Sequence, residues 1–553
     1  MRLITQETDF KLSKGSRRRN NFEEKNNFIS NQLDNHHWLL AAAVFAQENY
    51  GLYVNGEQFT SEKLTVACGG GTATYDPGTK TLTLNNATIT NGGKSDESPK
   101  YGIRVVGDRN LTIKLMGTNI ISLTDGGGIF ADGSSNNFKI TGDGKLTVNV
   151  KWDALYTLNG NIEISENADI DINSQSGCGI TSYNKGDITI DNAKVKCTSY
   201  YSAANAKKLT VKNGSDVTFT ALADYFNAVY MGNNQGAGEI EIRGSKIKAQ
   251  SYYPALYSEG NLTIDGGEAS CTSTADSAIW TKGDILFKGG VKVTTDGKFP
   301  FGGKSITVEA ADIDARNSNE DNVPAIFDEC IPVISEGYRL KYAQAVDSQN
   351  NKIDLLSSGT QYFALYKNVH FITAAVYTVT FNVIPAELSN LVINVNGEKI
   401  TDFVNLPEGT YPIEVTADNC EPYKGNFTIT QDPSTHAQTI RMTYLPADYS
   451  KVNEAIAKAN ALKKDDYKDF SAVKNAVDAV VRGKNITEQS EVDKMAKAIE
   501  DAISSLKKKT ANTNNSPKTG DSNSLAFWIA MFIICTAAAA STVILIKKKK
   551  SNK

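Results

Sequence analysis

Between Leu111 and about Asn317 apolar and polar residues alternate in short bursts rather than at helical spacing. One phrase returns nine times: Leu111-Thr112-Ile113, Phe138-Lys139-Ile140, Ile162-Glu163-Ile164, Ile188-Thr189-Ile190, Leu209-Thr210-Val211, Ile240-Glu241-Ile242, Leu262-Thr263-Ile264, Ile285-Leu286-Phe287 and Ile306-Thr307-Val308. Successive phrases begin 21 to 31 residues apart. Alternation with period two predicts strands that bury one face. A repeat of twenty-odd residues predicts a solenoid, whose units bury their apolar faces only by stacking.

Each repeat carries a second alternating triplet, as in Leu146-Thr147-Val148, Ile170-Asp171-Ile172, Val217-Thr218-Phe219 and Val291-Lys292-Val293. Most carry a third short segment, as in Gly128-Ile129-Phe130, Ala154-Leu155-Tyr156, Ala228-Val229-Tyr230, Ala255-Leu256-Tyr257 and Ala278-Ile279-Trp280. Three short strands per turn predict a parallel β-helix in which like residues stack on the rungs above and below. The pattern resembles the right-handed parallel β-helix family of bacterial surface proteins and polysaccharide-active proteins.

Around the solenoid the pattern changes character. Residues 47–100 combine short alternating strands with Asp-Pro-Gly and Asn-Gly turns and are expected to cap the open end of the helix, residues 101–320 form the helix proper, and residues 321–375 form its C-terminal cap. Within that last stretch Tyr362-Phe363-Ala364-Leu365-Tyr366 reads as a strand. Residues 376–446 sharpen into longer alternating strands and predict a small antiparallel β-sandwich. From 447 to 509 the period becomes helical: Val452, Ile456, Ala459 and Leu462 share one face, Val473, Val477 and Val480 a second, and Val492, Met495, Ile499, Ile503 and Leu506 a third. Gly483 is expected to stop the second helix and Thr487 to cap the third. This three-helix segment resembles the FIVAR module of Gram-positive wall proteins through Val452-Asn453-Glu454-Ala455-Ile456, Phe470-Ser471-Ala472-Val473 and Ile486-Thr487-Glu488-Gln489.

The two ends speak to location. Trp38 to Ala46 is a nine-residue apolar run ending in Val44-Phe45-Ala46, preceded by Arg17, Arg18 and Arg19, so residues 1–46 are expected to be a secretory leader of unusual length. Residues 510–515 form a polar linker. Residues 525–546 carry no charge, are long enough to span a bilayer and are followed at once by Lys547 to Lys550. Just ahead stands Ser516-Pro517-Lys518-Thr519-Gly520, and the whole 516–553 tail resembles the sortase sorting signal of Gram-positive surface proteins, with Ser516 where that family has Leu. The resemblance implies cleavage between Thr519 and Gly520, transfer of Thr519 to peptidoglycan, and membrane attachment only until then.

Composition narrows the function classes. A net charge of −4, with no basic stripe along the rungs, argues against nucleic acid as a partner. Seven cysteines, no two closer than 19 residues, give neither zinc nor redox spacing. Cys197 and Cys271 fall in the slot that Val148, Ile172 and Phe219 fill elsewhere and read as inward core residues. The four histidines, His36, His37, His370 and His436, all lie outside the rungs. That removes the histidine motif of pectin-hydrolysing β-helix enzymes, and their paired-aspartate motif is missing too. Asp169, Asp171, Asp187 and Asp191 are the nearest acidic cluster, and their turn and outward positions suit solvation better than calcium or catalysis. No cofactor, metal ligand set or catalytic residue is predicted.

One column stands out. With Ile103 and Val105 inward and Arg104 outward, the same register puts Phe130, Tyr156, Tyr230, Tyr257 and Trp280 on the outside of the third strands, interrupted by Thr181 and Asn205. A second set, Trp152, Tyr201, Phe226 and Tyr253, lies two residues before a small alanine on its rung. Flat rings with polar tips suit the C–H faces of sugars, and they suit equally a structural ladder in which they stack on one another. The expectation is therefore a mainly β, non-enzymatic, adhesin-like carbohydrate-binding protein of the cell wall, with sortase, peptidoglycan and a host or environmental glycan as partners. The alternatives are a polysaccharide lyase or glycosidase on the same fold, and a passive surface spacer.

Overall fold

The computed structural model describes residues 47–93, 100–184, 186–232, 238–317, 326, 330–347 and 349–510. The expected leader, the linker beyond residue 510, the sorting signal 516–520 and the apolar span 525–546 lie outside the described residues. Among the described residues no helix is long and apolar enough to cross a membrane. The chain divides into two compact units: one takes the described residues up to Val333 together with Gln344–His370, the other takes Ile334–Ala343 and the described residues from Phe371 onward.

The first unit is a parallel β-solenoid of about nine turns. The repeated phrase forms the first strand of each turn, and its registers are one to one: Leu111 lies beside Phe138, Phe138 beside Ile162, Ile162 beside Ile188, Ile188 beside Leu209, and so on to Ile285 beside Ile306. Both apolar residues of every phrase are buried. Second strands stack the same way, with Val148, Ile172, Cys197, Phe219, Ala249 and Cys271 forming one inward file. Cys197 and Cys271 are thus buried core residues, and both are free thiols. Third strands complete the triangle, Ile103, Ile129, Leu155, Ile180, Ala204, Val229, Leu256 and Ile279 pointing in.

Where an inward file reaches a turn it changes chemistry. Ser174 Oγ donates to Trp152 O (2.7 Å), Ser182 Oγ to Gly160 O (2.7 Å), Ser251 Oγ to Tyr253 O (2.6 Å) and Ser258 Oγ to Gly238 O (2.9 Å). Turn carbonyls left without a ladder partner are thereby satisfied inside the protein, where an orphan would cost ~1–3 kcal/mol. The turn between first and second strands uses a left-handed residue on each rung from Thr81 to Asp296, though not on the last. Asn86, Gly117, Gly142, Asn167, Asn192, Asn213, Gly244, Gly266 and Gly289 supply it, with φ between 48° and 99°. Some of these asparagines also chain together, Asn192 Nδ2 donating to Asn167 Oδ1 (3.0 Å) and Asn167 Nδ2 to Asp143 Oδ1 (3.2 Å).

At the N-terminal end the cap is built from antiparallel strands. Asn49–Val54 lies across Tyr101–Val105, with Leu52 opposite Val105, and Gly71–Asp76 lies across Thr81–Asn85. Thr81–Asn85 itself runs parallel to Leu111–Met116 in solenoid register, so the expected cap already contains part of a turn. Toward residue 370 one expectation is corrected: Tyr362 to Leu365 belong to the 3-10 helix Thr360–Leu365, not a strand, with Phe363 and Ala364 buried. Gly359 at φ 84° breaks the extended backbone just ahead of Thr360, and the Tyr366 N–H bonds back to Phe363 O (3.4 Å), closing a helical turn instead of joining a ladder.

In the second unit residues 376–380 pair antiparallel with Phe403–Pro407, and residues 380–384 pair in parallel with Ala437–Arg441. That sheet packs on an antiparallel one made of Glu398–Ile400, Val392–Val395, Gly409–Thr416 and Tyr423–Ile429 around Val379, Ile393, Val415 and Phe427. The arrangement is a sandwich, but not purely antiparallel as expected. Three helices follow, α1 (Ser450–Ala461), α2 (Ser471–Asp478) and α3 (Gln489–Ser504), packed through Val452, Ala459, Val473, Val492 and Ile499. Two of their expected ends move. Helix α2 closes before Gly483, because the Val480 N–H makes a tight bond back to Val477 O (3.2 Å), and Gly483 at φ 84° lies in the connection. The cap ahead of α3 is Asn485 rather than Thr487: Asn485 Oδ1 accepts from Thr487 N (2.9 Å) and Glu488 accepts from Asn485 N (3.1 Å), a capping box.

The register makes a sharp mutational contrast. Ile188→Ala opens a cavity in the first-strand file and is expected to cost ~2–5 kcal/mol, whereas the outward neighbour Thr189→Ala changes stability by about 0.5 kcal/mol or less. Urea unfolding followed by circular dichroism measures both, and equal losses would break the register. Asn485→Ala is expected to cost ~1 kcal/mol through loss of the cap, read as a fall in the melting temperature of the helical signal.

Candidate functional site: an aromatic face on the third strands

The outward residues of the third strands lie in one file. Arg104 sits beside Phe130, Phe130 beside Tyr156, Tyr156 beside Thr181, Asn205 beside Tyr230, Tyr230 beside Tyr257, Tyr257 beside Trp280, and Trp280 beside Gly302. Every one of the five predicted aromatic residues therefore points outward, between inward neighbours that are buried. Thr181 interrupts the file as expected, and it is buried, with only 2% of its surface exposed.

Most of the ring area in this file is used internally. Tyr101, the first residue of strand Tyr101–Val105, stacks on Phe130 (centroids 4.7 Å, interplanar angle 27°), Phe130 meets Tyr156 at 5.3 Å, and Tyr156 meets Tyr183 at 6.3 Å. On the first and second rungs beyond the Thr181–Asn205 gap, Tyr230 and Tyr257 lie parallel within 4°, with centroids 5.3 Å apart. Contacts of this kind are worth ~0.5–1.5 kcal/mol each beyond the area they bury. Burial pushes the Tyr156 hydroxyl up to about 12, with the charge of Asp153 adding to it, so the phenol stays protonated. Asp153 is itself raised by burial, although its Oδ1 accepts from Cys178 N at 2.8 Å. The neighbouring Cys178 thiol is pushed up to about 12 by burial and by Asp153, so it is no nucleophile.

Trp280 is different. It is 39% exposed, and its ring lies over Gly302, where a Cβ would meet Trp280 Cζ3 at 2.4 Å and Cε3 at 2.5 Å. One face of the indole thus rests on bare backbone. Beside it runs a polar edge: Tyr257 Oη donates to Glu259 Oε1 (3.0 Å), and Lys282 Nζ pairs with Glu259 Oε2. Burial raises the Glu259 carboxyl, but the bonds from Lys282 and Tyr257 outweigh it and hold the group below the ordinary glutamate range. A platform ring next to a fixed acceptor and a fixed cation can stack against the apolar face of a sugar while the carboxylate and ammonium bond its hydroxyls.

The second predicted set lies on the turns that enter the third strands. Tyr201 meets Phe226 at 4.5 Å, Tyr225 meets Tyr253 at 5.4 Å, and Trp152, Tyr200, Tyr225, Phe226 and Tyr252 are exposed. Two of the four acidic residues are in ion pairs, Asp191 with Lys212 (3.1 Å) and Asp171 with Lys196 (4.0 Å), while Asp187 is partly buried and its carboxyl is raised by that burial. Among the described residues no three potential ligands converge as a metal site would require. Glu259 and Lys282 went unpredicted, yet alternation holds the clue: each stands two residues after an outward ring, with the inward Ser258 or Thr281 between.

These features define the class as a parallel β-solenoid protein with an aromatic outer face, a fold consistent with carbohydrate-binding or polysaccharide-active proteins. Comparison with protein-family models, with curated proteins and with solved structures finds no match to the chain.

A titration checks the Glu259 environment. A lowered folded-state pKa means that the carboxylate's stabilising bonds are fully present above the ordinary glutamate value and are lost only as pH falls through the lowered one. The Glu259 carboxyl resonance is expected to titrate below the ordinary glutamate midpoint, and Tyr257→Phe is expected to move it upward. An ordinary midpoint in the unmodified protein would remove the fixed polar edge.

Proposed function

We propose that the protein binds carbohydrate without turning it over, and that it does so at the bacterial surface. The observation that carries the reading is the indole of Trp280 laid on Gly302 beside the Tyr257–Glu259–Lys282 edge. Binding rather than hydrolysis is supported by the spacing of acids. Asp153 and Glu259, which act on rings of the file, are four rungs apart, about 19 Å at the ordinary strand spacing, whereas glycosidases hold theirs roughly 5–9.5 Å apart; a further carboxylate beside the file, Asp132, is paired with Arg104 at 3.3 Å. No residue of the ring file is itself a histidine.

Surface attachment is supported by the sequence. The Ser516-Pro517-Lys518-Thr519-Gly520 segment, the apolar run 525–546 and the terminal lysines stand in the order a sortase requires. In this reading residues 1–46 direct secretion, a sortase joins Thr519 to peptidoglycan, and the sandwich and FIVAR-like bundle hold the solenoid off the wall. The ligand is a host or environmental glycan.

A glycan array tests the binding half. The full chain is expected to bind at least one glycan, and Trp280→Ala to weaken that binding tenfold or more, a loss of ~1.4 kcal/mol or greater, with the circular dichroism spectrum unchanged. Release of shortened sugar from any bound polysaccharide would replace binding with turnover. For the anchoring half, Thr519→Ala is expected to shift the protein out of the peptidoglycan fraction of cells that express it.

A further inference from the structure

We infer a second carbohydrate subsite, a slot for one neutral pyranose ring between Trp152 and Tyr201 across Gly177; it rests on the carbohydrate reading above. On the turns that enter the third strands, Trp152 N donates to Gly126 O (3.1 Å) and Tyr201 N donates to Gly177 O (3.1 Å). Gly126, Trp152, Gly177 and Tyr201 therefore follow one another along the solenoid axis. Trp152 has a glycine on each neighbouring rung, and among the described residues no ring lies against it, although it is 40% exposed. An aromatic side chain in that position is costly unless it covers something or something covers it.

Its two sides are unequal. Lys151 Nζ sits 4.9 Å from the centre of the Trp152 ring and also pairs with Asp125 at 3.3 Å. Because Asp125 belongs to the preceding rung, Lys151 covers the indole from that side. The opposite side looks toward Gly177. Beyond Gly177 comes Tyr201, whose ring is backed by Phe226 of the following rung at 4.5 Å and braced by the edge of Tyr200 at 5.0 Å. Each wall of the slot is thus supported from behind.

The floor cannot be filled. A Cβ at Gly177 would meet the Trp152 carbonyl carbon at 2.4 Å and Asp153 N at 2.5 Å, so position 177 itself can carry no side chain. Trp152 and Tyr201 stand two rungs apart, roughly 10 Å at the usual strand spacing, and aromatic contacts run at about 4.5–7 Å between centres. A single ring set midway touches both walls. The one cation at the slot is already neutralised by Asp125, so an uncharged sugar is favoured over a uronate.

The test uses the full chain labelled with fluorinated tryptophan. It contains 4 tryptophans, so fluorine NMR gives four resonances, assigned by Trp→Phe variants. The probes are neutral hexasaccharides of β-linked glucose, xylose and mannose, with polygalacturonate as the charged comparison. The expected result is a saturable shift of the Trp152 resonance with at least one neutral probe. Tyr201→Ala should weaken that shift tenfold or more while leaving the Trp280 shift in place. A shift of Trp280 without one of Trp152 overturns the slot and leaves the carbohydrate reading standing. Silence at both tryptophans with every probe overturns both, and a response to polygalacturonate alone overturns the neutral-sugar assignment.

Discussion

Everything in the solenoid depends on one constraint: each strand hydrogen-bonds sideways to the same strand of the next turn, with no offset. Residues one turn apart must then do the same job in the same place. Ile162 can be buried only because Phe138 and Ile188 close the space above and below it. The constraint reaches the turns as well, where all rungs but the last take a left-handed backbone and most use an inward hydroxyl to satisfy a carbonyl. A sequence that meets these demands repeatedly carries its fold as a list of columns.

The same geometry builds the outer face. A residue placed outward on a third strand finds a copy of its own position about 4.8 Å away on either side, which is close to the distance at which aromatic rings prefer to sit. Rings therefore stack on one another and lose their faces to the ladder, as Tyr230 and Tyr257 do. A face becomes available where the column is broken. Gly302 leaves the indole of Trp280 to lie flat, and Gly126 and Gly177 isolate Trp152. The glycines shape the outer surface as much as the aromatic residues do.

Much of this was legible in the residues alone. The phrases that recur from Leu111 to Val308 gave strand positions, inward faces and inter-rung register together, because period two and period twenty-odd reinforce each other. Outward placement of Phe130, Tyr156, Tyr230, Tyr257 and Trp280 followed from Ile103 and Val105. What escaped were local decisions that depend on neighbours brought close by folding. Nothing in Tyr362-Phe363-Ala364-Leu365-Tyr366 distinguishes a strand from a 3-10 turn until the Tyr366 N–H bonds back to Phe363 O. Asn485 took the cap expected of Thr487 because Glu488 was in place to close the box, and the bond from Val480 to Val477 ended α2 before Gly483 could. The polar edge of Glu259 and Lys282 escaped for a different reason: charges next to outward rings look like ordinary solvated surface until their pairing is known.

Nearest-neighbour stacking also decides how the solenoid answers force. Each turn is bonded only to the one before and the one after, so tension applied at one end is borne by the terminal rung alone. The rungs detach in sequence, like pages torn singly from a pad. One turn of about 24 residues pays out roughly 80 Å of extended chain before the next comes under load. The protein would lengthen in steps and keep the untouched rungs, with the outer faces they carry, intact.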